Sequence, residues 1–94
     1  MPIYVMLSRL TDEGARTIKH NPDRITEVDD EMESMGVRIV QQYAVLGEYD
    51  FVNIVEAPDN MTVTKASLEM GSRGSVRITT LPAMDVAELI AAHK

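Results

Sequence analysis

The chain has 94 residues, enough for one domain with a thin core, and its 45% hydrophobic and 26% charged content is that of a globular protein. A net charge of -6 argues against nucleic acid and anionic membrane as partners, and the absence of cysteine excludes a disulfide scaffold, a thiolate metal site and a cysteine nucleophile. No apolar run approaches the roughly 18 residues of a membrane span. The opening residues have no basic region ahead of their apolar stretch and no small-residue cleavage site, so no signal peptide is expected and a cytoplasmic location is the default expectation.

Ile3 to Ser8 alternates, with Ile3, Val5 and Leu7 on one face and Tyr4, Met6 and Ser8 on the other, which predicts a strand. Thr11 followed by Asp12 and Glu13 predicts a capped helix start. Asn21-Pro22 then breaks the helix, with Asn21 expected to cap a second segment. There Ile25, Val28, Met32 and Met35 recur at spacings of three and four, a helical stripe, and Gly36 follows as its stop. Asp29-Asp30-Glu31 reads as part of the solvated face.

Val37 to Val45 and Phe51 to Ala57 are the second and third strands, joined at Gly47 by a connection short enough for a hairpin. Pro58-Asp59-Asn60 stops the third strand and caps a helix carrying Val63, Ala66 and Met70, with Gly71 and Gly74 bracketing its exit. Ser75 to Leu81 is the fourth strand, ended by Pro82. Asp85 with Glu88 resembles a capping box and opens a last helix, with Val86, Leu89 and Ile90 expected to point inward. The order β-α-β-β-α-β plus a terminal helix predicts a single α+β, ferredoxin-like domain over residues 1–94, with its helices on one face of an antiparallel sheet.

The other sheet face then lacks a cover. Its expected members are Tyr4, Met6 and Ser8, then Val40 and Gln42, then Phe51, Asn53 and Val55, then Arg77, Thr79 and Leu81; a bulge would swap a set. A half-apolar face of this kind is more than a soluble monomer usually exposes, so a second copy packed sheet to sheet is the expected cover. The polar members would line a cavity between subunits or satisfy one another across the interface.

Gly47-Glu48-Tyr49-Asp50 is the most informative string. Glycine permits the positive φ of a tight turn, and the Asp50 carboxylate either accepts backbone N–H bonds or stays free for a ligand. Gly71-Ser72-Arg73-Gly74 lacks P-loop spacing and suits a helix exit, with Arg73 the best single carboxylate binder. His20 and His93 stand alone, so no metal is expected; no dinucleotide fingerprint or Ser-His-Asp set occurs, so no cofactor is expected either.

The run from Gly47 through Tyr49, Asp50, Phe51 and Asn53 to Pro58-Asp59 resembles the signature of the GYD-domain family, with Glu48 separating the glycine from the tyrosine and aspartate. Pro2-Ile3-Tyr4-Val5, Leu10-Thr11, Gly71 to Gly74 and Thr79 to Ala83 extend the match from about Met1 to Ile90. The resemblance implies a small prokaryotic protein of the dimeric α+β barrel type. Gly47, Asp50, Gly74, Val76, Thr79 and Thr80 also resemble the ligand-binding domain of Lrp/AsnC-type regulators, in which small metabolites such as amino acids bind between subunits; the DNA-binding helix-turn-helix of those regulators is lacking here.

Three functions follow as expectations. The first is a homo-oligomeric module binding a small molecule, an amino acid or small carboxylate, through Tyr4, Gly47, Tyr49, Asp50, Asn53, Arg73, Gly74 and Thr79. The second is a cofactor-independent enzyme, monooxygenase- or isomerase-like, using Asp50 or Tyr4 as acid or base. The third is a purely structural assembly domain.

Overall fold

The computed structural model describes all residues, Met1–Lys94. The elements run β1 (Ile3–Leu10), α1 (Asp12–His20), α2 (Arg24–Ser34), β2 (Arg38–Ala44), β3 (Phe51–Glu56), α3 (Asn60–Ser72), β4 (Val76–Ala83) and α4 (Val86–Ala92). The four strands form one antiparallel sheet in the order β2-β3-β1-β4, the ferredoxin-like arrangement. No helix is long and apolar enough to cross a membrane.

Local chemistry sets the element ends. The Thr11 hydroxyl accepts the Gly14 N–H at 3.1 Å and starts α1. Asn21 ends that helix, its N–H donating to the Thr17 carbonyl at 2.8 Å. The expected Asn21 cap on α2 is therefore displaced: Pro22-Asp23 form an intervening turn, and Asp23 holds the cap position without a side-chain bond. Gly36 stops α2 with φ of 92°, while the next N–H, from Val37, returns to the Met32 carbonyl at 3.0 Å. Strand β4 continues through Pro82, two residues beyond its expected end at Leu81. It is an edge strand, where a proline lacking an N–H costs the ladder little.

The core joins the sheet to α2 and α3. Tyr4, Met6 and Val55 from the strands meet Met32, Val63, Ala66 and Met70 from the helices. This reverses the expected phase of two strands. Tyr4, Met6 and Ser8 are 2%, 1% and 6% exposed and lie under the helices, as do their register partners Val55, Asn53 and Phe51. Both faces of β1 are apolar, so alternation alone could not choose between them. The choice falls to the Tyr4 side because its hydroxyl finds Asn60 Oδ1 at 2.6 Å, and because methionine fills irregular gaps. A bulge at Val40 splits β2, so Gln42, expected on the open face, instead joins Ile39 in facing the helices, while Gln41 and Tyr43 face away.

The open face is accordingly more apolar than expected. It carries Val5, Leu7, Val52 and Ile54 at its centre and Ile3, Leu81 and Tyr43 around them; Arg77, Thr79 and Leu81 sit there as anticipated. The last helix also departs from expectation. Every residue of α4 is exposed, with Val86, Leu89 and Ile90 48–66% accessible instead of packed inward. The molecule is therefore 51 Å long, with a radius of gyration of 14.2 Å against about 12 Å for a compact chain of this length.

Candidate functional site

Between the covered face of the sheet and the α1–α2 layer lies a cavity of about 130 Å³. Strand pairing brings Ser8, Asn53 and Gln42 side by side on its floor: Asn53 is the partner of Met6 on one side and of Gln42 on the other. The stripe Ile25, Val28 and Met32 supplies its roof from α2, and Phe51 and Ile39 complete the apolar wall.

Two polar features stand out inside. Asn53 Oδ1 is fully buried and receives no hydrogen bond. Asp29, one turn from Ile25 on α2, accepts a bond from Gln42 Nε2 at 3.0 Å, tying helix to sheet. Burial holds the Asp29 carboxyl above its ordinary range, while the Gln42 bond pulls the other way. Sequence reading placed Asp29 on a solvated helix face; it is half-buried against the cavity because Asp29 follows Val28 and Ile25 around the same side of the helix.

Arg24 and Arg73 close the rim. Glu31 accepts from both, from Arg24 at 2.9 Å and from Arg73 in a close ion pair, so it links α2 to the end of α3. Each arginine has a second carboxylate, Glu27 at 3.2 Å for Arg24 and Glu69 at 3.4 Å for Arg73. Arg73 foremost, then Arg24, holds the Glu31 carboxyl below its usual range.

The eight residues singled out from sequence do not gather in one place. Asn53 and Arg73 line the cavity. Tyr4 is spent in the core and on Asn60, towards the other end of β1. Gly47, with φ of 113°, turns the β2–β3 connection. Tyr49 lies under the Arg9 guanidinium, which stands 5.6 Å from its ring centroid, while Arg9 Nε donates to the Glu48 carbonyl at 3.0 Å. Asp50 Oδ2 accepts the Leu10 N–H at 2.8 Å, and the Asp50 N–H donates to the Ser8 carbonyl at 2.8 Å. The Gly47 to Asp50 string thus clasps the end of β1. Gly74, φ 80°, presents its carbonyl to the Thr11 hydroxyl at 2.7 Å. Thr79 sits on the open face opposite Leu7.

Asp29 and Arg24 are the cavity residues that sequence reading passed over. Their signal was present: both lie within one turn of the Ile25–Val28–Met32 stripe and flank it. No group of three His, Cys, Asp or Glu side chains is arranged to hold a metal ion.

The GYD domain model matches residues 4–92, and the chain belongs to that family. A protein of Thermus thermophilus named glutamine synthetase and cystathionine beta-lyase binding protein is 58% identical over 95 residues, spanning 100% of both chains. Among solved structures, the crystal structure of TTHA0845 from Thermus thermophilus superposes with a TM-score of 0.57 at 20% identity, over 90% of this chain and 95% of that one. At that identity the likeness speaks for the α+β fold alone.

Proposed function

We propose that this chain is a protein-binding module that docks on enzymes of the glutamine synthetase and cystathionine beta-lyase kind, and that it does so as a homo-oligomer. The observation that carries this reading is the 58% identity, end to end, with a relative named for binding those two enzymes. The physical support is the open sheet face. Val5, Leu7, Val52 and Ile54 form its centre, and Leu81 and Tyr43 are 45% and 53% exposed beside them. A contiguous apolar surface of this kind marks an interaction site more often than bare solvent-facing surface. A second copy or a partner enzyme would gain about 25 cal/mol for each Å² of apolar area it covers. The reading carries with it a cytoplasmic setting, where a chain without disulfides is at home.

The test is direct binding of the purified chain to each enzyme by biolayer interferometry. Ile54→Lys, at the centre of the open face, is expected to weaken binding at least about tenfold while the far-ultraviolet spectrum is unchanged. Absence of binding by the folded wild-type chain to either enzyme at micromolar concentration would refute the proposal.

A second reading is favoured by a different observation, the cavity with its unpartnered Asn53 oxygen. Buried acceptors are nearly always satisfied, and a bound small molecule is one way to satisfy this one. On this reading the module senses a metabolite as well as holding its protein partners.

A further inference from the structure

Building on the second reading above, we infer that the cavity takes a small ligand that donates N–H hydrogen bonds, an alkylamine or a primary amide, rather than a carboxylate. The expectation from sequence was a carboxylate at Arg73. The pairing of charges points the other way. Arg73 is matched by Glu31 and Glu69, and Arg24 by Glu31 and Glu27, so both cations are already charge-matched and an incoming carboxylate would meet the like charge of Glu31 beside either of them. The interior instead offers acceptors. Asn53 Oδ1 is buried without a donor, and the half-buried Asp29 carboxylate beside it accepts from Gln42. A ligand N–H supplies what Asn53 Oδ1 lacks, whereas a carboxylate oxygen offers it no proton.

Size and lining fit the same class. A dry cavity of comparable volume holds a benzene-sized molecule, so about 130 Å³ admits roughly five to eight heavy atoms. Met32, Ile39 and Phe51 provide an apolar wall for a short alkyl chain, with the polar floor at one end. That is the usual make-up of a small-molecule site, many apolar contacts and a few polar groups that fix orientation.

The experiment compares three probes of similar size on the full chain: butyramide, butylammonium and butyrate. Binding is read by titration calorimetry and by the rise in melting temperature. Butyramide and butylammonium are expected to bind about tenfold more tightly than butyrate. Asn53→Leu removes the waiting acceptor at nearly constant volume and is expected to weaken butyramide about tenfold. Ile25→Phe fills the roof and is expected to abolish binding of all probes in a chain that still melts cooperatively. Equal or tighter binding of butyrate overturns the ligand class and leaves the small-molecule reading standing. Failure of all three probes to bind at about 10 mM overturns both. Undiminished binding by folded Ile25→Phe overturns the location.

Discussion

Gly14→Ala is the substitution for which the structure and general helix rules disagree most. Alanine in place of a helical glycine ordinarily stabilises by about 1 kcal/mol. Here a Cβ on Gly14 would stand 2.0 Å from the Ser75 carbonyl oxygen and 2.9 Å from its carbon. The obstacle is backbone, which cannot swing aside. Relief to ordinary contact at 3.4 Å needs α1 to lift by about 1.4 Å from the start of β4. Two bonds hold it down, Thr11 N–H to the Ser75 carbonyl at 3.0 Å and the Thr11 hydroxyl to the Gly74 carbonyl at 2.7 Å. Overpacking costs about 1–3 kcal/mol and each weakened bond about 1, against the propensity gain of about 1. The net expectation is a loss of about 2–4 kcal/mol, or about 10 °C or more in Tm for a chain of this size. Gly71→Ala is the control, since its Cβ would meet nothing within 4 Å on α3. It is expected to gain up to about 1 kcal/mol. Urea unfolding of both variants measures the pair. A Gly14→Ala variant as stable as wild type would refute the close docking of α1 on Ser75.

Asp50→Ala removes the acceptor for the Leu10 N–H and is expected to cost about 2 kcal/mol, whereas Asp50→Asn keeps an oxygen there and costs less; urea midpoints distinguish them. Glu31 holds its proton less readily when folded, so its pairs with Arg73 and Arg24 stabilise above the unfolded carboxyl value near about 4.3 and lose that contribution as pH falls through the lower folded value. Glu31→Gln should therefore lower stability at pH 7 by about 1 kcal/mol, these being partly exposed pairs, and flatten the decline in Tm below about pH 4. Asp29 runs in the opposite sense: burial raises its carboxyl, so its charged form works against folding as pH rises past the unfolded value near about 3.9. Asp29→Asn keeps an acceptor for Gln42 and is expected to leave stability at pH 7 equal or higher, by up to about 1 kcal/mol.

The element order was legible because each boundary carries its own chemistry: Thr11 and Asp59 as caps, Gly36 as a stop, Asn21-Pro22 as a break. The strand phases were not legible in β1 and β3. Val5 and Leu7 are as apolar as Tyr4 and Met6, and the deciding contact, Tyr4 to Asn60, joins residues 56 apart. Gly14 gives no sequence signal either, since its requirement comes from Ser75 across the fold. The candidate site was half visible. Asn53 stands out in sequence as a polar member of a half-apolar strand face, though of the opposite face of the sheet, and Arg73 as a guanidinium in the Gly71 to Gly74 string. Asp29 was hidden in an acidic run whose members differ only in which way the helix turns them. The Gly47 to Asp50 string drew most notice, and its polar groups are largely taken up by Arg9, Leu10 and Ser8.

The exposed terminal helix bears on how one chain could hold both a second copy and a partner enzyme. Val86, Leu89 and Ile90 are left exposed by their own chain, and Val5, Leu7 and Ile54 are only half-buried by it. A helix that buries none of its residues contributes little to the stability of its own domain. Truncation after Ala83 is therefore expected to leave the Tm of a dilute sample unchanged, within about 0.5 kcal/mol of stability. If α4 instead packs on a second copy, the same truncation lowers the oligomer's mass in sedimentation and removes the concentration dependence of Tm that any coupled assembly shows. A truncated chain that melts lower even when dilute would mean that α4 docks on its own sheet in solution. The open face would then be covered from within, and the case for that face as the shared interaction surface would fall with it.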